Sequence, residues 1–163
     1  MLRLLATIGG LTGALALSQF PEFSQQYLQR LSGAVDEMQV VVSSYDSDAA
    51  EVGLEREEYV NQMAQDDVFA PTAKTIANNI NRYERLNDQY DALKNASPLG
   101  RLAQPWRFSD VELVERTWDE FKPAVPVTAD GFIAAGIGYV GGWALITVLV
   151  ALLRAPFRRR RRA

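Results

Sequence analysis

An uncharged run of 22 residues, Phe132 to Leu153, constrains this chain more than any other feature. As a helix rising about 1.5 Å per residue it would reach roughly 33 Å, against about 30 Å of bilayer hydrocarbon. So uniformly apolar a helix would be hard to bury inside a small soluble domain. The run is therefore expected to span a membrane. It ends at Arg154, with Arg158, Arg159, Arg160, Arg161 and Arg162 close behind. Basic residues flanking a span hold that end in the cytoplasm. These six arginines are expected to set topology and to meet lipid head groups. A nucleic-acid site would rest on this tail alone, and no nucleic-acid partner is expected.

A second apolar run, Leu4 to Leu17, extends to Phe20 and is near the lower limit for a span. Two readings compete for residues 1–20. One is a retained transmembrane helix. The other is a cleavable signal peptide, with Arg3 as its charged start and Ala14-Leu15-Ala16 near the cleavage site. Glycines at 9, 10 and 13 suit helix packing and favour retention. Either way Arg3 and the C-terminus lie in the cytoplasm, and residues 21–128 are exported.

Charge follows the same division. All 20 acidic residues lie between Glu22 and Asp130, with 10 basic residues among them, a net of −10. The two ends carry +7, so the formal net of −3 is the sum of unlike regions.

Both runs carry small residues four apart: Gly9 and Gly13 in the first, Gly138 and Gly142 in the second. Such spacing lets two backbones approach closely, and packing is the main force between helices in lipid. These four glycines are the expected helix-packing interface, either between the two spans or toward a partner.

The exported middle is patterned for helices. Tyr27, Leu31, Ala34, Met38, Val41 and Tyr45 recur at alternating steps of four and three, predicting a helix from about Glu22 to about Val52. Ile76, Ile80, Tyr83, Leu86, Tyr90 and Leu93 form another seam, ended by Asn95-Ala96-Ser97-Pro98. Tyr27, Leu31, Met38, Ile80, Tyr83 and Tyr90 are the seam residues expected to hold an elongated, coiled-coil-like antiparallel stalk. Between the seams, Leu54 to Phe69 is a weakly patterned helical stretch that Pro71 interrupts or restarts. Residues 97–108 read as a loop. Ser109-Asp-Val-Glu112 forms a capping box, with Phe108 and Leu113 as its hydrophobic staple, and Val111, Val114, Trp118 and Phe121 lining one face beyond.

Chemistry is poorly provided for. The chain has no cysteine and no histidine. That removes thiolate nucleophiles, thiolate metal sites and the commonest general acid–base. Asp46-Ser47-Asp48 and Asp66-Asp67 lack the glycine and closing glutamate of a calcium loop. Gly131 to Gly142 lacks the lysine of a phosphate-binding loop. No catalytic residue, cofactor or metal is expected.

The segment Ala14 to Glu37, ALALSQFPEFSQQYLQRLSGAVDE, resembles an uncharacterised family of small two-span proteobacterial inner-membrane proteins, classed as a domain of unknown function. The resemblance implies a bacterial inner-membrane protein with its first helix retained. It brings no activity and no catalytic residues.

The expected architecture is thus all-α: a span at 1–20, an acidic helical periplasmic domain at 21–128, a span at 129–153 and a polyarginine tail at 154–163. The expected function is that of a non-enzymatic accessory or scaffold subunit in a larger membrane complex, acting through helix–helix contacts. Its expected partners are membrane lipids and a membrane protein or a second copy. The alternative is a periplasmic sensory module signalling through a separate partner. A carboxylate-based hydrolase is a third possibility, without a pattern to support it.

Overall fold

The computed structural model describes the backbone of residues 2–159 and the side chains of residues 2–153. Every regular element among the described residues is helical. The helices are α1 (Leu2–Ser18), α2 (Phe20–Glu51), α3 (Arg56–Ala64), α4 (Ala70–Lys94), α5 (Pro98–Leu102), α6 (Val111–Asp119) and α7 (Ala129–Arg159). A 3-10 turn covers Pro105–Arg107. Two helical stretches, Leu2–Glu51 and Ala129–Leu153, are long and apolar enough to cross a membrane.

Local chemistry explains where the helices start and stop. Pro21 and Pro71 each sit in a first turn, where a missing amide hydrogen removes no internal bond. α2 ends in a Schellman-type closure. The Leu54 amide donates to the Ala49 carbonyl and the Gly53 amide to that of Ala50. Gly53 takes φ of 75°, a left-handed conformation that a side chain would disfavour. Thr128 caps α7 by accepting from the Gly131 amide at 3.2 Å.

Residues 97–108 are more ordered than a loop. Ser97 accepts from the Gly100 amide at 3.1 Å and starts α5, with Pro98 next. Serine followed by proline is a start signal as well as a stop signal, and here it serves both neighbours.

The chain forms two compact units. One comprises the described parts of Met1–Gln25, Ser97–Gln104 and Glu120–Ala163. Its centre is the pairing of α1 with α7. Beside that pair, Arg101 donates from Nη1 to Gln25 Oε1 at 3.2 Å, and the Ala124 amide donates to Gln19 Oε1 at 3.1 Å. The Phe23 and Phe121 rings meet edge-on at 5.9 Å.

The other unit comprises Gln26–Ala96 and Pro105–Asp119. Its core is Tyr27, Leu31, Val35, Leu86, Leu93 and Leu113. Hydrogen bonds from Tyr27 to Gln89 and from Asn79 to Tyr45 show that α2 and α4 run antiparallel. Val35, Val42 and Ala49 are buried on α2, seven residues apart. That row lies beside the expected seam, so the buried stripe of α2 is wider than a strict two-position repeat.

The α6 region departs from the expected register. The cap is Asp110, whose Oδ1 accepts from the Leu113 amide at 3.0 Å; Ser109 instead accepts from Gln89. Leu113 and Thr117 are the buried residues of α6. Val111 and Trp118 are 67% and 70% exposed. Phe121 lies beyond the end of the helix. In a nine-residue helix with apolar residues on adjoining faces, the face that packs is chosen by the neighbour and not by periodicity.

Candidate helix-packing interface

The four expected glycines meet across α1 and α7, within one unit. The Gly13 backbone lies against that of Gly138, and the Gly9 backbone against that of Gly142. Residue number falls on α7 as it rises on α1, so the pair is antiparallel. The approach is close enough that a methyl at Gly13, Gly138 or Gly142 would overlap a facing carbonyl oxygen. A methyl at Gly9 would overlap the Ile146 side chain.

Neighbouring residues complete the seam. A Cβ at Gly10 would fall 2.8 Å from the Tyr139 ring, and one at Gly138 would fall 2.8 Å from Leu17 Cβ. Ala134 and Ala6 are buried. Tyr139, Leu17 and Ile146 carry no marker of this role in the sequence. Only the antiparallel register, once known, assigns them. The faces turned away are open: a Cβ at Gly136 or Gly141 would meet nothing within 4 Å. Leu4, Leu11, Leu15, Val140 and Leu152 are exposed.

The expected seam residues of the middle are brought together in part. Tyr27 and Leu31 are fully buried, and Met38, Tyr83 and Tyr90 pack partly buried against their cluster. Ile80 instead lines an open groove beside α3. Above the core runs a polar chain: the Tyr27 hydroxyl donates to Gln89 Oε1 at 3.0 Å, and Gln89 Nε2 donates to Ser109 Oγ at 2.8 Å. Burial, with the nearby Asp110 charge, pushes the Tyr27 hydroxyl up to about 12. The Tyr27 and Phe108 rings lie 4.8 Å apart. This chain satisfies groups that would otherwise be buried without partners, a structural role.

Arg101 is the one buried cation among the described residues of its unit, 5% exposed, and burial lowers its pKa. Its bond to Gln25 ties α5 to the start of α2. Asp46 is ion-paired with Arg56, and Asp66 accepts from the Val68 amide, so the two acidic pairs singled out in the sequence take part in local structure. Among the described residues no group of three or more acidic side chains is arranged to hold a metal. Of the six arginines expected to set topology, Arg160, Arg161 and Arg162 lie outside the described residues, as do the side chains of Arg154, Arg158 and Arg159.

Residues 1–159 match the family described as Protein of unknown function (DUF2937). The chain belongs to this family. Its members carry no assigned activity in that description, in keeping with the resemblance read at Ala14 to Glu37. No curated protein and no solved structure matches the chain.

Proposed function

We propose that this protein is a non-enzymatic accessory or scaffold subunit of a larger complex in the bacterial inner membrane. Both termini lie in the cytoplasm and residues 21–128 in the periplasm, where the middle forms a coiled-coil-like stalk. The observation that carries the reading is the glycine-to-glycine pairing of α1 and α7. Backbones held this close make a preformed hairpin of two apolar helices, stable in lipid through packing alone. Because Gly9, Gly13, Gly138 and Gly142 are used within the chain, contacts to a partner fall on the outward faces.

The partner is a membrane protein or a second copy of this chain. The positive-inside rule supports the topology, since the basic residues of the two ends flank the apolar stretches. The test is gentle detergent extraction followed by native mass measurement. A complex larger than the monomer is expected. A clean monomer with no co-purifying protein would count against the reading. A sensory role draws support from the open groove beside α3, and ligand-dependent thermal stabilisation of the protein would favour it.

A further inference from the structure

The second unit carries a groove of about 660 Å³ where α3 lies along α4. Its floor is apolar, built from Val60, Ala77 and Ile80. Its rim is acidic. Asp46 is neutralised by Arg56, which meets both of its carboxylate oxygens. Glu55, Glu57 and Glu84 also line the groove, and among the described residues none of the three carboxylates has an ion-pair or hydrogen-bond partner. Glu55 is the N-cap residue of α3 and Glu57 lies in its first turn, where the helix dipole favours negative charge, so this acidic rim is held by the fold. A rim of this kind attracts a cationic occupant.

The shape argues for a macromolecular occupant. The acidic surface does not stop at the groove. It continues over α3 onto a second concave face that shares Glu55, Glu57 and Asn61 and adds Glu58. Val52, Val68 and Phe69 are exposed in the segments flanking α3. Apolar points at both ends of a charged surface suit an extended amphipathic segment better than a compact ion. Ile80, expected in the stalk seam, is on this floor and so available to such a segment.

We infer that the α3–α4 groove docks a basic amphipathic segment of a partner protein, its Lys or Arg side chains on Glu55, Glu57 and Glu84 and its apolar side on Val60 and Ile80. This rests on the accessory-subunit reading and names the face that meets the partner outside the apolar helices.

The test uses the full chain in its native membranes, with a photo-crosslinking amino acid replacing Asn61, a groove residue. The adduct peptide is identified by mass spectrometry. It is expected to be rich in Lys and Arg. Adduct yield is expected to fall about tenfold in E55K/E57K/E84K, to fall less in E55Q/E57Q/E84Q, and to drop as salt is raised. E115K, on the exposed side of α6, is expected to leave the yield unchanged. The glutamine variant, with an unchanged melting temperature, guards against loss of the fold. A neutral or acidic adduct peptide, a yield indifferent to the three carboxylates, or no adduct would overturn the inference. Saturable spermidine binding that needs the same carboxylates, without a protein adduct, would assign the groove to a small cation and overturn it too. A complex seen by native mass with no adduct at Asn61 would sink this inference while leaving the accessory-subunit reading intact.

Discussion

Substituting Gly138 by alanine probes the contact on which the hairpin depends. The added methyl would sit 2.6 Å from the Gly13 carbonyl carbon and 2.8 Å from Leu17 Cβ, besides overlapping the Gly13 oxygen. None of these obstacles can rotate away, because two are backbone atoms and the third is a Cβ. Restoring an ordinary 3.4 Å contact from 2.6 Å requires the helices to part locally by at least about 0.8 Å, and the nearer oxygen asks for more. A radial gap of about 0.5–1 Å forfeits a quarter to a half of each dispersion contact along the seam. Overpacking of this kind typically costs about 1–3 kcal/mol. Gly136→Ala is the matched control. It lies on the same helix and its Cβ would meet nothing within 4 Å, so it should be neutral or slightly stabilising through helix propensity. Equilibrium unfolding in mixed dodecylmaltoside–SDS micelles measures both. Equal midpoints for Gly138→Ala and Gly136→Ala would refute the pairing.

Two further predictions concern the second unit. Burial raises the Tyr27 hydroxyl from 10.0 to about 12, so its contribution to stability is complete below pH 10 and is lost as pH rises through about 12. Over that window the loss is about 1.4 kcal/mol per pH unit; Tyr27→Phe should lack this alkaline component, at a cost near neutral pH of roughly 1–2 kcal/mol for the stranded Gln89, and parallel pH–stability curves for the two proteins would contradict the burial argument. On α6, Leu113→Ala should destabilise by about 2–5 kcal/mol, whereas Val111→Ala should stay within about 0.5 kcal/mol; thermal melts that reverse this order would return α6 to the register suggested by its periodicity.

Long, strongly biased segments are legible in the sequence alone. The apolar character of 132–153, the long α2 and the stop at Asn95 all follow from composition and spacing over many residues, where one rule dominates; whether Pro71 interrupts or restarts a helix is open in the sequence, and the fold restarts one there. The four interface glycines were legible as a pattern for the same reason. Short elements were not. The α6 cap moved from Ser109 to Asp110 because two good capping residues are adjacent, and the neighbouring Gln89 takes one of them. The buried row at Val35, Val42 and Ala49 falls outside the expected seam because a helix packed into a core buries a third heptad position beside the two of a strict seam.

What the glycine pattern could not say was which backbone it faces. Spacing along one helix records only that something can come close. The antiparallel register of α1 on α7 sets Gly9 against Gly142 and Gly13 against Gly138, a relation between residues more than 120 positions apart. Likewise, the 20 carboxylates of the middle were countable in the sequence. That three of them line one groove with Val60, Ala77 and Ile80, their carboxylates without partners among the described residues, was decided by the packing of α3 along α4, because proximity across elements is a property of the fold and not of the chain.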